Sequence, residues 1–166
     1  MANWERISML RVIPETFTHA QLTIDRLKKG VFLVSIDENE QANVMAMAWG
    51  FIGFQWMKPL FIVPVRADRY TNGLIDKSKE FVVSIQPEDM DDDMMYTGSH
   101  SGRDVDKFKE LELGKVAIPE LKTPGIDGCL IHYACKVIHT ASAEPHSSHK
   151  FFFGEILNVY EKARYL

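Results

Sequence analysis

The chain has 166 residues, of which 19 are Lys or Arg and 23 are Asp or Glu, so its formal net charge at pH 7 is −4. This length suits one domain. It is too short for separate nucleotide and substrate domains, which together need about 250 residues. The acidic balance argues against nucleic-acid binding, which needs a basic face. We therefore expect a single domain over residues 1–166 and no nucleic-acid partner.

Neither an export signal nor a membrane-spanning helix is expected. The N-terminal stretch Met1–Ile13 carries three charged side chains and has no apolar core of signal length. The uncharged run Ala42–Met57 is shorter than a spanning helix. Two cysteines, Cys129 and Cys135, are too few for a disulfide framework. We expect a cytoplasmic protein with free thiols and no membrane partner.

The first half of the chain predicts one helix followed mainly by strands. Thr18–Lys29 can form a helix with Thr18 as its N-cap, Leu22 and Leu27 facing inward, and Gly30 as its stop. The next predicted elements are strands Val31–Ile36, Asn43–Trp49 and Leu60–Val65, helix Thr71–Lys77 and strand Phe81–Ile85. Pro64 places the third of these strands at an edge or a bulge, because proline has no N–H to donate.

The second half predicts two helices and then three strands. The helices, Asp89–Tyr96 and Asp104–Glu112, flank the sequence GSHSG, and the strands are Lys115–Ile118, Cys129–Thr140 and Lys150–Tyr160. Several short strands with few helices predict a mainly β fold, an antiparallel barrel rather than a βαβ sheet.

Two catalytic motifs are absent or incomplete. No GxGxxG occurs in the chain, so the sequence gives no support to a self-contained dinucleotide-binding fold. GSHSG resembles the nucleophile elbow of a serine hydrolase, but that motif needs Ser where this chain has His100. A serine hydrolase is therefore disfavoured.

Two groups of residues raise the question of a metal. Cys129, His132, Cys135 and His139 have spacings that could hold zinc. In one extended strand, however, the odd-numbered residues share a face and His132 points the other way, so we expect no metal site. The acidic run Asp91–Asp93 could bind a divalent cation, but acidic side chains also suit the first turn of a helix.

Two segments are candidate anion sites. Ser99, Ser101 and Gly102 precede a predicted helix whose N–H groups can bind phosphate, and Lys107 adds a cation. The alternative is a plain capped helix, with Asp104 as N-cap and Phe108 in the core. Arg66 and Arg69 follow a strand and could bind phosphate bidentately, or form a surface network with Asp68.

The predicted strand Asn43–Trp49 is a third candidate for ligand binding. Its alternation places Asn43, Met45, Met47 and Trp49 on one face. Such a stripe commonly belongs to a core. Alternatively, the Asn amide can hydrogen-bond a planar heterocycle lying on the strand.

Five stretches of the chain together resemble the flavin-reductase-like, FMN-binding split-barrel family, and within it the flavoredoxin-type members. They are NVMAMAWGFIGF (Asn43–Phe54), PVRADRYTNGLI (Pro64–Ile75), EFVVSI (Glu80–Ile85), GSHSGRDVDKF (Gly98–Phe108) and CKVIHT…HKFFFGEI (Cys135–Ile156). The chain departs from the family pattern at Thr97, where many relatives have Cys, and in the poorly matched N-terminal residues 1–30, notably Glu15–Lys29.

The resemblance implies a six-stranded antiparallel Greek-key split barrel that dimerises and binds FMN, rather than FAD, near the subunit interface. By position, Asn43, Met45, Ala46, Met47 and Trp49 would line the isoalloxazine. Arg66, Arg69, Tyr70 and Thr71 would surround the phosphate, and Ser99, Ser101, Gly102 and Lys107 would complete its site. His149 would lie near the reactive edge of the flavin and is the candidate catalytic residue.

The resemblance also implies electron transfer through bound FMN. NAD(P)H, as a transient substrate, would pass a hydride to flavin N5, and the electrons would go to free flavin, ferric iron or a redox protein. The cofactor carries that chemistry and the protein positions it. Two alternatives stay open: a flavoredoxin-type carrier that accepts electrons from a protein donor, and a flavin-binding protein with no turnover.

Overall fold

A computed structural model of the chain describes residues 10–163. Residues 1–9, and with them most of the stretch Met1–Ile13, lie outside the described part, as do residues 164–166. The described residues form one mainly antiparallel β-sheet with a few helices, which confirms the predicted fold class.

The main sheet contains eight strands. Their bounds are β1 Leu10–Val12, β2 Val31–Ile36, β3 Ala42–Met47, β4 Phe51–Gln55, β5 Lys58–Arg66, β6 Glu80–Ile85, β9 Ile131–Ser142 and β10 His149–Lys162. They are ordered β3-β2-β6-β9-β10-β5-β4, with β1 paired to β10. Two further strands, β7 Lys115–Val116 and β8 Gly125–Ile126, form a separate ribbon. The sheet thus exceeds the six strands that the resemblance implied, and β1, β4 and β8 were not predicted.

Within residues 10–163, four helices cover the sheet where the sequence predicted helices. They are α1 Ala20–Leu27, α2 Tyr70–Ser78, α3 Asp91–Ser99 and α4 Lys107–Glu110. A 3₁₀ turn, Glu88–Met90, precedes α3. Helix α4 is shorter than the predicted Asp104–Glu112, because Asp106 and not Asp104 is its N-cap: the Asp106 carboxylate accepts a hydrogen bond from the Lys109 N–H at 3.2 Å.

Helix α1 differs from the prediction in its N-cap and in which of its leucines are buried. Thr18 is not the N-cap, because its hydroxyl donates to the Glu15 carbonyl oxygen at 2.8 Å and the helix begins two residues later. Leu22 is exposed rather than inward, whereas Leu27 is buried as predicted. The positive φ of Gly30, 122°, turns the chain from the helix into β2.

Strand β5 lies inside the sheet rather than at its edge, since β10 and β4 flank it. The predicted edge position is correct only at Pro64 itself. Strand β4 pairs with β5 no further than Ile62, opposite Phe51, so Pro64 has β10 as its one neighbour. A residue without an N–H is tolerated at such a position. The sequence missed β4 because Gly50 and Gly53 indicated a bend there.

Two apolar clusters lie on opposite faces of the sheet, and β2 contributes to both. Leu33 belongs to the cluster that includes Phe61, Phe81 and Tyr133. Phe32 and Val34 belong to the other, which includes Met94 of α3 and Phe108 of α4. Both helices are therefore anchored by buried side chains. This packing fixes the loop between them, residues 100–106, beside β3.

Candidate functional site

Twelve of the fourteen candidate site residues line one cleft beside β3. Its polar end, here called the anion pocket, is a cavity of about 170 Å³, and it is continuous with a groove of about 520 Å³. The anion pocket includes Arg69, Tyr70, Thr71, Ser101, Gly102 and Lys107. The groove includes Met47, Trp49, Arg66 and His149. Met45, Ala46 and Arg69 line both compartments.

Two glycines, Gly98 in the last turn of α3 and Gly102 in the loop 100–106, allow this part of the chain to lie against β3. A Cβ added at Gly98 would lie 2.9 Å from the Ala46 Cβ. A Cβ at Gly102 would overlap the Asn43 Oδ1 and would lie 2.6 Å from the Tyr70 Cδ1. Larger residues would push the loop away from the strand. The anion pocket therefore depends on glycine at both positions.

Lys107 places a buried cation at the base of the anion pocket. Its Nζ donates hydrogen bonds to the carbonyl oxygens of Thr97, at 3.0 Å, and His100, at 2.9 Å. Burial, together with the charge of Arg69, lowers the pKa of Lys107 to about 8. An ammonium has three protons to donate, so one remains for a ligand.

Arg69 lies beside Lys107 and has no hydrogen bond or ion pair from its guanidinium within residues 10–163. Arg66 forms an ion pair with Asp68 at 3.1 Å, which agrees with the surface network given as the alternative to a phosphate contact. Arg103 donates to the Asp68 carbonyl oxygen at 3.0 Å and lies over the Tyr70 ring. Arg69 and Lys107 are therefore adjacent cations that have no acidic partner among the described residues, and together they form a site for an anion such as phosphate. The N-terminus of α2 adds backbone N–H groups to it.

Asn43 and Ser99 do not line the cleft. Asn43 is buried, and its Nδ2 donates to the Thr71 Oγ1 at 2.9 Å and the Ser35 Oγ at 3.4 Å, so its amide joins β3 to α2. Ser99 is exposed and donates to the Tyr96 carbonyl oxygen at 3.1 Å. Asn43 thus positions Thr71 rather than facing the groove.

Strand β3 contributes both of its faces to the cleft. Met47 is buried in the core and Met45 packs against the same cluster, so the core interpretation of this stripe is correct for its middle. Ala46 points the other way, toward Gly98. Trp49 is 67% exposed, beyond the end of the strand.

His149 lies at the far end of the groove, where β10 begins opposite Arg66. Its Nδ1 hydrogen-bonds the Ser147 hydroxyl, and its ring centroid is 5.4 Å from that of Trp49. No hydrogen bond from its Nε2 occurs within residues 10–163, which leaves that nitrogen for a ligand.

Several lining residues were not predicted. Asp68, Thr97, Gly98, His100 and Arg103 line the anion pocket, and Ser147 and Ser148 line the groove. The first five lie within two residues of a predicted site residue in sequence, so their position was a usable signal. No sequence signal marks the two serines, which reach the groove because β10 pairs with β5 at His149 and Arg66.

The four residues with zinc-like spacing do not come together in one site. Cys129 packs in the cluster opposite to that of Cys135, because β9 begins only at Ile131, so the expected shared face is wrong for Cys129. His132 hydrogen-bonds the Ser84 hydroxyl at 2.8 Å, and burial lowers its pKa to about 4. Within residues 10–163, no three His, Cys, Asp or Glu side chains group as metal ligands.

The acidic run at the start of α3 has a structural partner. Asp91 pairs with the nearly buried Arg26 of α1 and accepts from the Gln86 amide at 3.1 Å. These contacts, with the charge of Arg26 among them, lower the pKa of Asp91, although burial opposes them as the largest single effect. The pair joins α1 to α3.

Residues 24–165 match the family described as the flavin reductase like domain, and the chain belongs to that family. An uncharacterized protein of Archaeoglobus fulgidus is 31% identical over 72% of this chain and 66% of its own length. The flavoredoxin structure from Methanosarcina acetivorans has 29% identity and a TM-score of 0.72, covering 82% of this chain and 70% of that one. The FMN-binding protein of Thermus thermophilus, solved with 1-cyclohex-2-enone, has 26% identity and a TM-score of 0.69, covering 80% and 69%.

These matches support a split-barrel flavoprotein with a role in electron transfer. The chain spans about two thirds of the length of each of the three proteins. Within residues 10–163, no helix has the length and apolar character needed to cross a membrane.

The first prediction concerns the pKa of Lys107. Low-millimolar sulfate should raise the melting temperature, Tm, of the flavin-free protein at pH 7, and should raise it much less at pH 9.5. Above pH about 8, the free Lys107 loses its charge, so an anion must bring a proton with it to bind. Sulfate keeps a constant charge over this range.

Thermal unfolding at constant ionic strength measures this effect. Lys77→Gln, an exposed change on α2, should keep the pH dependence. Lys107→Met should remove it. A wild-type Tm increase that is equal at both pH values would contradict the assignment.

Proposed function

We propose that this protein binds FMN non-covalently in the cleft and transfers electrons through it as a flavin-reductase-like oxidoreductase. One observation carries the proposal: a single cleft joins an anion pocket, where the Arg69 guanidinium has no partner among residues 10–163, to a groove lined by Met45, Met47 and Trp49. A phosphate-bearing planar cofactor has both of these chemical characters.

The anion pocket fits one terminal phosphate. Arg69 and Lys107 supply positive charge, Thr71 and Ser101 supply hydroxyl groups, and Gly102 lets the backbone approach. Its volume of about 170 Å³ suits one phosphate better than a diphosphate with an adenosine beyond it. FMN is therefore favoured over FAD.

In this proposal the residues of the chain bind and orient the cofactor, because the redox chemistry belongs to the cofactor itself. When bound, FMN would supply an acceptor for a hydride from NAD(P)H at its N5. Arg69 and Lys107 hold the phosphate end, and β3 supports the ring end along Met45 to Met47. His149, fixed at Nδ1 by Ser147, presents Nε2 to the substrate, where it can hold or donate a proton.

Similarity to flavoredoxin favours a second candidate, an electron carrier reduced by a protein donor. The chain has Thr97 where many flavoredoxin-type relatives have Cys, so a thiol takes no part at this position. A flavin-binding protein with no turnover is the third possibility. Mixing the FMN-loaded protein with NADH and with NADPH in a stopped-flow instrument separates these functions. Flavin bleaching within milliseconds to seconds supports direct reduction by the nucleotide.

We also propose a cytoplasmic location and one domain over residues 1–166. Free cysteines support the location, since Cys129 and Cys135 are both buried thiols in an arrangement that oxidation would not bridge. The family match over residues 24–165 supports the single domain.

The second prediction tests FMN binding at its phosphate. Arg69→Gln should weaken FMN binding by roughly a hundredfold, because a charge-assisted contact to phosphate contributes about 1.5–3 kcal/mol. Riboflavin, which has no phosphate, should bind weakly and equally to both proteins. Fluorescence titration of the flavin measures both affinities.

Lys77→Gln is the matched control for charge and helix, and should leave FMN binding unchanged. If Arg69→Gln weakens riboflavin as much as FMN, the arginine does not bind the phosphate and the orientation proposed here is wrong.

We further propose that the protein is a homodimer, and that the β4–β5 hairpin forms part of the interface. Phe54, Trp56 and Met57 at its tip are 60%, 52% and 85% exposed. Trp56 and Met57 form the two-residue turn between Gln55 and Lys58, and their positive φ values of 53° and 59° are typical of such a hairpin. An exposed apolar tip, next to the edge of β4 that pairs with no further strand within residues 10–163, fits a protein contact.

The third prediction concerns this dimer. Met57→Glu should weaken self-association roughly tenfold or more, because an unpaired carboxylate in an apolar interface costs over about 1.4 kcal/mol. Sedimentation velocity over a range of concentrations measures the change. Met95→Glu is a matched control, since Met95 is 62% exposed on α3. A monomeric wild-type protein, or equal effects of both substitutions, would refute the assignment.

A further inference from the structure

A large apolar pocket adjoins the groove on the side away from the anion pocket. Its volume is about 720 Å³, within the range of small-molecule sites. Ile24 and Leu27 of α1 form one wall, and Phe51 and Phe151 form another. Trp49 and His149 line both this pocket and the groove, so a molecule bound here reaches the ring end of the proposed cofactor site.

The polar groups of this apolar pocket lie on one side. His146, Ser147 and His149 provide donors there, while the rest of the lining is almost entirely carbon. The single ammonium at the rim, that of Lys28, is 3.1 Å from the Asp25 carboxylate and is therefore paired. Free flavins and ferric chelates carry charged or strongly polar groups, which this lining could not solvate.

We propose that the apolar pocket binds the electron acceptor, and that this acceptor is an uncharged, flat molecule of the quinone class. The inference rests on the proposed function and names the acceptor of the same site. The ring of a quinone would lie against carbon, and a carbonyl oxygen would accept a hydrogen bond from His146 or His149. A quinone bound here takes up a hydride and a proton, two electrons in all, from the reduced cofactor and leaves as the hydroquinone.

Helix α1 makes Ile24 a specificity-determining residue for this acceptor. The helix is fixed in place by two contacts, from Arg26 to Asp91 and from the Thr23 hydroxyl to the Tyr133 hydroxyl at 2.6 Å. The Ile24 side chain is 42% exposed at the pocket wall.

Duroquinone tests the proposal, because its fully substituted ring does not add to thiols. Calorimetric titration into the flavin-free protein measures binding, and steady-state kinetics of the FMN-loaded protein with NADH measures the KM for duroquinone. Ile24→Gln should raise both the Kd and the KM about tenfold. A polar side chain in the wall of an apolar pocket lowers the affinity for an apolar ligand by about that factor. Phe51→Ala should act in the same direction.

Leu22→Gln is the matched control, because Leu22 is 39% exposed on the same helix and lines a different pocket. It should change neither constant. The proposal is overturned if the protein binds FMN normally but duroquinone does not bind, or if Ile24→Gln and Leu22→Gln behave alike. It is also overturned if Ile24→Gln weakens dimerisation and leaves duroquinone binding unchanged. That result would show that a second copy of the chain covers the pocket. Loss of FMN binding in the wild type would instead refute the proposed function.

Discussion

The site depends on the placement of one buried cation, Lys107, beside a second, Arg69. Burying the Lys107 ammonium is unfavourable and the nearby charge of Arg69 adds to the cost, and the lowered pKa of Lys107 reflects both effects. The carbonyl oxygens of Thr97 and His100 offset part of it by accepting hydrogen bonds from Nζ. We propose that a bound anion supplies further stabilisation, which is why this pocket would favour phosphate.

The rest of the fold maintains this arrangement. Met94 and Phe108 anchor α3 and α4 in the core beneath the loop that carries Gly102. The loop touches β3 closely enough that only glycine fits, and Asn43 joins the same strand to Thr71 of α2. The pocket is thus assembled from three segments far apart in sequence, each held by its own packing.

Most of the architecture could be predicted from local patterns. The apolar run of β2 and the alternation of β3 gave correct strands, and Gly30 marked the end of α1. Strand β4 was missed because Gly50 and Gly53 indicated a bend where the strand runs. Leu22 was assigned to the core because amphipathic spacing cannot distinguish a core face from an exposed apolar one, which only tertiary packing decides.

The candidate site was predictable where residue chemistry and local position coincide, as for Arg69 and Lys107. Asn43 lies outside the cleft lining because its amide hydrogen-bonds Thr71 and Ser35, and the sequence does not show where Thr71 lies. Ser147 and the apolar pocket beyond Trp49 were invisible in the sequence, since both arise from the pairing of β10 with β5 and from the docking of α1.

The central claim is that Arg69 and Lys107 hold the phosphate of a bound FMN. A crystal structure of the protein with FMN tests it most directly. The account predicts phosphate oxygens within hydrogen-bonding distance of the Arg69 guanidinium and the Lys107 Nζ, with the ring system along β3 toward His149. A phosphate directed into solvent, with the Arg69 guanidinium still without a partner, would contradict it.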